Sequence, residues 1–197
     1  MKLKDLNPPL IELPTGQPFF RVQLLRARSG SVRANGLLLA PAGALSGRFC
    51  LPGQVTAYLA DSAHTALFES QFRRDTVSRN LSDLAKRALV QFIIHKPLRL
   101  VDLRPLAEPY PLLQSMRIAQ TQGLAQEIFE NQHHGLVYAS AQHPQHACVC
   151  LFPEGIARLK RAQSWPLVKP GTKQLLRVVV DAARRSGVPL LDQEPTG

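Results

Sequence analysis

Apolar and polar side chains alternate most clearly between residues 88 and 103, and this pattern predicts β-structure. Every second residue from Val90 to Ile94 is apolar, and further leucines follow Pro97. A period of two places these side chains on one face of a strand. This stretch is the clearest β signal in the chain.

A second stretch, from Gly47 to Arg74, combines a loop, a strand and a helix. The short apolar run at residues 57–60 predicts the strand. Asp61 or Ser62 is a suitable N-cap for the helix formers that follow. On this helix Glu69 falls beside the inward-facing positions, where a carboxylate must be hydrogen-bonded, paired or part of a cleft.

The other predicted elements are short and of both kinds. Strands are predicted at residues 19–25, 135–140 and 147–152, and residues 37–41 fit a strand or a packed loop. Helices are predicted at residues 80–87, 113–130 and 172–186. Three successive valines in the last segment make a strand the alternative prediction there. Residues 26–36 are predicted to be a mobile loop. Because no regular βαβ alternation appears, the pattern favours an α+β fold in a single domain.

Composition favours a soluble globular protein. The chain of 197 residues is 45% hydrophobic, and no apolar run reaches the roughly 18 residues of a membrane span. The N-terminal segment lacks the apolar core of a signal peptide, so we expect a cytoplasmic protein. Cys50, Cys148 and Cys150 follow no zinc spacing. Cys148 and Cys150 lie two apart on a predicted strand and are predicted to be buried.

The net charge of +10 and the pI near 10.2 raise the question of a nucleic-acid partner. No recognised nucleic-acid motif accompanies the charge, and the aromatic residues are not interleaved with it. An anionic small ligand, an acidic partner or solubility alone accounts for the same surplus. We therefore expect no direct nucleic-acid contact. Four histidines between residues 133 and 146 could suggest zinc, but Cys148, the nearby candidate for completing a site, should point into the sheet, so no metal is expected.

Five polar residues stand out by their positions in or beside apolar segments. They are Arg21, Arg48, Tyr58, Glu69 and Ser140. Each has an ordinary structural explanation: a solvated arginine, a half-buried strand tyrosine, a glutamate favoured by the helix dipole, or a hydroxyl that ends a strand.

In type and order these residues resemble the RES-domain family, which is named for an Arg, a Glu and a Ser far apart along the chain. The matching segments are Phe20-Arg21-Val22, Gly47-Arg48-Phe49, Tyr58-Leu59-Ala60, Ala66-Leu67-Phe68-Glu69 and Gly135 to Ser140. The family supplies the toxins of bacterial RES–Xre toxin–antitoxin pairs. Its members resemble ADP-ribosyltransferases in fold and use NAD as substrate. Two features depart from it: the Phe-Cys-Leu-Pro-Gly loop after Arg48 and the long basic tail beyond Glu154.

The resemblance implies a split mixed or antiparallel sheet flanked by helices, as in ADP-ribosyltransferases. Within it we expect an N-terminal extended arm at residues 1–18 and a RES-like NAD-binding catalytic domain at residues 19–153. Residues 154–197 would form a basic C-terminal extension packed on the same domain.

The resemblance also implies a role for each residue. Glu69 would bind ribose hydroxyls and stabilise the positive charge that develops on the sugar when nicotinamide leaves. Tyr58 would border the nicotinamide ring, while Arg21 and Arg48 would hold the pyrophosphate or ribose. Ser140 would donate a hydrogen bond to a phosphate or a bound acceptor. On this basis Glu69, Tyr58 and Arg21 are the expected catalytic residues, and all five are expected to bind NAD.

The leading hypothesis is therefore an enzyme that depletes NAD by phosphorolysis or hydrolysis of the nicotinamide–ribose bond. NAD would be a substrate rather than a cofactor, with inorganic phosphate as a candidate co-substrate and an Xre-type antitoxin as partner. The sequence leaves the oligomeric state open, and a homo-oligomer is one of the alternatives. One alternative is an ADP-ribosyltransferase that modifies a protein, including one delivered into another cell. The other is a non-catalytic basic module that binds nucleic acid through residues 158–185.

Overall fold

A computed structural model describes residues 2–113 and 118–192, apart from the side chains of Leu112 and Ile118. The strands in chain order are β1 Leu10–Leu13, β2 Pro18–Leu24, β3 Val32–Ala34, β4 Leu37–Leu39, β5 Ala57–Ala60, β6 Arg79–Asn80, β7 Arg87–Ile94, β8 Leu98–Asp102, β9 Gly135–Ala139, β10 Ala147–Leu151, β11 Leu159–Pro166 and β12 Leu190–Leu191. The α-helices are α1 Leu3–Leu6, α2 Ala63–Ser70, α3 Leu81–Ala85, α4 Ile118–Glu130, α5 Pro153–Ala157 and α6 Arg177–Ser186. Short 3₁₀ turns lie at Arg104–Leu106 and Pro111–Leu113.

Eight of these strands form one mixed sheet, in the order β1-β8-β9-β10-β5-β2-β7-β11. Neighbouring strands run antiparallel except for β8 and β9, which are parallel. A parallel pair needs a long crossover, and α4 lies in the connection between these two strands. Two small sheets, β3–β4 and β6–β12, lie outside the main one. A mixed sheet flanked by helices confirms the predicted α+β fold.

The sheet buries apolar side chains on both faces. One face packs against α2, α4 and α6, which contribute Leu67, Leu124 and Val179 to a single core cluster. The opposite face packs against the β3–β4 hairpin, through Leu37 and Leu39, and against α5, through Ile156. Strand residues divide between the two clusters according to the alternation of the pleat.

The helix α2 begins where the sequence indicates. Ser62 has extended backbone angles, and its hydroxyl accepts a hydrogen bond from the Thr65 amide at 3.1 Å, so Ser62 rather than Asp61 is the N-cap. The helix packs against β2 and α6. Its buried residues Thr65 to Phe68 bring Glu69 to the edge of the core.

The β pattern at residues 88–103 corresponds to two strands that are not neighbours in the sheet. The chain leaves β7 after Ile94 and enters β8 at Leu98, on the far side of Pro97. Proline supplies no amide hydrogen to a strand ladder, which explains the break. The β7 strand pairs with β2 and β11, whereas β8 pairs with β1 and β9.

Residues 26–36, predicted as a mobile loop, instead include β3 and the turn of a hairpin. Asn35 and Gly36 have φ angles of 49° and 83°. Two residues with positive φ are what a tight hairpin turn requires, and Asn-Gly is its preferred sequence. This dipeptide is a local signal for the β3–β4 hairpin that hydrophobic patterning alone does not reveal.

Both ends of the chain add strands to the main sheet. Residues 1–18, predicted as an extended arm, contain α1 and the edge strand β1, which pairs with β8. Residues 154–197, predicted as a basic extension, contain the opposite edge strand β11, which the sequence prediction missed. Its first part is largely exposed and polar, so it carries no apolar alternation. The same segment contributes α6 to the core.

Two predicted helices begin later in the structure than the sequence pattern indicates, or are described only in part. The helix expected at 113–130 is seen as α4 from Ile118, and residues 114–117 lie outside the described residues. The helix expected at 172–186 forms over Arg177–Ser186 and ends at Gly187, with φ of 71°. Among the described residues, no helix combines the length and apolar character needed to cross a membrane.

Gly135, the first residue of β9, should resist substitution. Its φ angle is 151°, and a Cβ atom there would lie 2.2 Å from the Cys150 carbonyl oxygen. We expect Gly135→Ala to lower the free energy of unfolding by about 2–4 kcal/mol, because backbone and neighbouring strand must both shift. Urea unfolding followed by circular dichroism measures this change.

Gly123 in α4 provides the matched control, since a Cβ there would meet no atom within 4 Å. Gly123→Ala should raise stability by up to about 1 kcal/mol through helix propensity. Equal stability of the two variants would contradict the close approach of β9 and β10 at Gly135.

Candidate active site

A cleft of about 600 Å³ opens beside β2, β5, α2 and β9. Four of the five predicted site residues line it: Arg21, Arg48, Tyr58 and Glu69. The fifth, Ser140, lies directly behind Glu69 and contacts its carboxylate. Residues spread over about 120 positions of sequence are therefore brought to one place.

Arg21 lies where two central strands separate. The register between β2 and β5 consists of a single pair, Phe20 with Ala60. Beyond it the Arg21 guanidinium donates from Nη1 to the Tyr58 carbonyl at 2.8 Å and from Nη2 to the Leu38 carbonyl at 3.4 Å. A side chain thus occupies a position that a backbone amide would take in a continuous sheet.

The electrostatic setting of Arg21, which is half-buried, is unusual for a cation. Burial lowers its pKa, and no acidic side chain of residues 2–113 or 118–192 forms an ion pair with it. Its Nε–H is buried and has no hydrogen-bond partner among these residues. A half-buried, incompletely satisfied guanidinium attracts an anion.

Arg48 is held by one carbonyl and two aromatic rings. Its Nη1 donates to the Leu113 carbonyl at 2.9 Å. The guanidinium carbon lies 4.9 Å from the ring centre of Tyr138 and 5.6 Å from that of Phe49. These rings lie 5.1 Å apart and form a surface under the cation. Arg48 is therefore positioned before any ligand binds.

Tyr58 uses its hydroxyl to hold the loop that carries Arg48. The oxygen accepts a hydrogen bond from the Phe49 amide at 2.8 Å and lies 3.6 Å from Cys50 Sγ. A Cβ on Gly47 would lie 2.5 Å from this oxygen, so the close approach requires glycine. Burial raises the pKa of Tyr58, which keeps the phenol neutral. Tyr58 also lines the cleft.

Glu69 is oriented by neutral hydrogen-bond donors. Oε1 accepts from the Ser140 hydroxyl at 2.5 Å and from the Gln142 amide at 3.3 Å. No lysine or arginine of the described residues forms an ion pair with this carboxylate, and Oε2 has no hydrogen-bond partner among them. A carboxylate in this state can interact with a cationic or hydroxyl-bearing ligand.

Several cleft residues were not singled out from the sequence. Tyr138 is buried and supports Arg48, and its position two residues before Ser140 on a strand would have placed both on one face. Arg73, Arg74 and Gln142 also line the cleft. Arg73 pairs with Asp75 at an exposed position, and the Arg74 amide donates to the Gln142 side chain at 2.8 Å. These cations follow α2 closely, but no local pattern distinguishes them from other surface arginines.

The thiols and histidines do not form a second reactive centre. Burial raises the pKa of Cys148, which lines the cleft, and of Cys150 behind it, so both stay protonated. Over the described part of the chain, no three His, Cys, Asp or Glu side chains are arranged to hold a metal ion. His143 and His146 stack on each other beside α2, whereas His134 is buried elsewhere.

The fold and cleft define a class of α+β proteins with a split central sheet and a site containing two arginines, a tyrosine and a glutamate. A profile of the RES domain matches residues 19–169. The chain therefore belongs to the RES domain family. The match extends through β11, beyond the limit suggested by the sequence motifs.

Comparison with solved structures supports the same fold. A chain in the crystal structure of the M. tuberculosis MbcT–MbcA toxin–antitoxin complex superposes with a TM-score of 0.58 at 19% sequence identity. The similarity covers 81% of this chain and 87% of that one. Comparison with curated protein sequences found no match.

Removal of the Tyr58 hydroxyl should loosen the Arg48 loop. In Tyr58→Phe the buried amide of Phe49 loses its acceptor. An unsatisfied buried donor costs about 1–3 kcal/mol, and we expect a loss of that size in the free energy of unfolding. Chemical denaturation measures it.

The control is Tyr110→Phe, because Tyr110 is exposed. Its effect should stay within about 0.5 kcal/mol. If Tyr58→Phe is as stable as this control, the hydroxyl does not hold the loop.

Proposed function

We propose that this protein is an NAD-consuming enzyme that cleaves the bond between nicotinamide and ribose, and that it acts as the toxin of a toxin–antitoxin pair. The observation that carries the proposal is the state of Glu69. It is a carboxylate fixed by Ser140 and Gln142, without a basic partner among the described residues, in a cleft that also holds Arg21 and Arg48. Membership of the RES domain family supports the same substrate.

The reaction needs charge stabilisation rather than a metal or an acid of unusual strength. The electron pair of the C1″–N bond leaves with nicotinamide, whose ring nitrogen thereby becomes neutral. The ribose carbon becomes cationic and forms a new bond to oxygen of phosphate or water, and an attacking water loses a proton. Glu69 would stabilise the sugar cation, because a fixed carboxylate lowers the free energy of a developing positive charge.

The other cleft residues would bind and orient the dinucleotide. Arg21 and Arg48 would hold the pyrophosphate, for which the planar guanidinium fork is suited. The ring of Tyr58 would border nicotinamide. Ser140 would act through Glu69, since its single proton is directed at that carboxylate.

The antitoxin partner is part of the same proposal. A chain in a structure of a toxin–antitoxin complex shares this fold. An Xre-type antitoxin would block the cleft, and the net charge of +10 would favour an acidic partner segment. The enzyme would then deplete cytoplasmic NAD once the antitoxin is lost.

The decisive experiment is incubation of the purified protein with NAD, with and without inorganic phosphate, followed by product analysis by mass spectrometry. Free nicotinamide with ADP-ribose indicates hydrolysis, and ADP-ribose 1″-phosphate that forms only with phosphate indicates phosphorolysis. A mass increase on an added protein would redirect the proposal to ADP-ribosyl transfer. Intact NAD under all conditions would overturn it.

Glu69→Gln should reduce kcat by at least about 100-fold, because the amide keeps the shape but loses the negative charge. Loss of nicotinamide release, measured by chromatography, tests this. Glu12→Gln is the control, since Glu12 is exposed on β1. Equal rates for the Glu69 and Glu12 variants would remove Glu69 from the reaction.

Arg21→Ala should weaken NAD binding by about 10- to 100-fold, the value of a charge-assisted hydrogen bond. Calorimetric titration in the Glu69→Gln background measures binding without turnover. Arg33→Ala, at an exposed position on β3, is the control. Thermal unfolding must accompany the titration, because Arg21 also satisfies the Tyr58 carbonyl. Unchanged affinity in a folded Arg21 variant would exclude contact with the ligand.

A further inference from the structure

The loop that follows β9 determines where the Glu69 carboxylate points. We define the 140–146 loop as the seven residues from Ser140 to His146. It supplies both hydrogen bonds that Glu69 Oε1 accepts, from the Ser140 hydroxyl and the Gln142 amide. Any displacement of this loop therefore releases the carboxylate.

The Ser140 hydroxyl has a single orientation available to it. A serine oxygen has one proton to donate and two lone pairs to accept with. The Gln142 amide at 3.3 Å and the His143 amide at 2.9 Å both donate to this oxygen. With both lone pairs in use, the proton points to Glu69 at 2.5 Å. The position of the His143 backbone thus fixes the direction of the Ser140 proton.

The His143 side chain attaches this part of the loop to the helix that carries Glu69. Its Nδ1 lies 2.8 Å from the Thr65 hydroxyl. Its ring packs on Phe68 with a centroid distance of 4.8 Å. Thr65, Phe68 and Glu69 all belong to α2. The loop and the carboxylate are consequently fixed to one rigid element.

The second histidine completes the attachment. The His146 ring stacks on His143, with centroids 3.8 Å apart and planes 7° from parallel. Its Nδ1 lies 3.1 Å from a carboxylate oxygen of Asp61, just before α2. The His146 carbonyl accepts from the Ser140 amide at 2.9 Å. This hydrogen bond joins the first residue of the loop to the last.

We propose that His143 is a positioning residue for Glu69, and that its protonation releases the 140–146 loop and lowers catalytic activity. The inference rests on the proposed function for its kinetic consequence. Its structural part, the attachment of the loop to α2, is independent of any substrate. The cleft is lined by Ala141 and Gln142 of the loop and by Glu69, whereas the side chains that make the attachment lie outside its lining.

The charges around His143 set the direction of the pH effect. Burial lowers the pKa of His143, followed by the adjacent His146, Arg185 on α6 and His64 on α2, whereas Asp61 raises it. A histidine whose pKa is lower in the folded protein binds its proton less readily than in the unfolded chain. The stability that the folded environment of neutral His143 contributes is therefore complete above about pH 6.5 and declines as the pH falls below that value.

The test compares His143→Ala, His143→Asn and the wild type between pH 5 and 8. Alanine removes all side-chain contacts, so kcat should fall about 10- to 100-fold with a smaller change in KM. Asparagine keeps a polar group able to hydrogen-bond near the Nδ1 position and does not titrate. It should recover part of the activity and flatten the acidic limb of the profile. The control is His95→Ala, because His95 is exposed and directly follows β7.

A measurement without substrate separates this inference from the proposed function. The amide resonance of Gln142 in a ¹⁵N–¹H spectrum reports on its hydrogen bond to Glu69. It should shift in His143→Ala, and in the wild type as the pH falls, but not in His95→Ala. If NAD is not consumed at all, this measurement still decides the structural part.

An unshifted Gln142 resonance in His143→Ala would overturn the attachment. Wild-type kcat at all pH values in a folded His143→Ala would overturn the positioning role. If the alanine variant does not fold, His143→Asn and the wild-type titration give the answer. A wild-type Gln142 resonance that is constant from pH 8 to 5 would then contradict the inference.

Discussion

The separation of β2 from β5, with Arg21 in the gap, is the constraint on which the site depends. The two strands pair through one residue pair, and the Arg21 guanidinium then donates to the Tyr58 carbonyl in place of a backbone amide. The sheet is thereby opened without leaving that carbonyl unsatisfied. The same guanidinium supplies a positive charge to the cleft, so the opening of the sheet and the electrostatics of the site have a common origin.

Among the described residues, the partners that hold Arg21, Arg48 and Glu69 are neutral. Carbonyl oxygens hold Arg21 and Arg48, aromatic rings support Arg48, and a hydroxyl and an amide orient Glu69. Had these groups paired with one another, their charges would have been neutralised within the protein. Held in this way, they are fixed in position and remain free to act on a ligand of mixed charge, which is the basis of electrostatic preorganisation.

Local sequence patterns predicted the elements whose signals are local. The strand at Ala57–Ala60 and the helix with Ser62 at its N-cap follow from short apolar runs and capping chemistry. The edge strand β11 was missed because an exposed edge has no apolar side to mark it. Tyr138 was missed as a cleft residue because its partner, Arg48, lies in a distant part of the chain. Contacts between distant segments leave no periodic trace in either one.

By itself the sequence determined the α+β class, the residue types available for chemistry and the resemblance to a family that uses them. These properties depend on periodicity, composition and motif order, which are written along one dimension. Only the tertiary structure decided that Glu69 accepts from Ser140, that Tyr58 uses its hydroxyl on the Arg48 loop, and that Arg21 fills the gap in the sheet. Those interactions depend on distances between groups on separate elements. The way in which these elements pack together sets the distances.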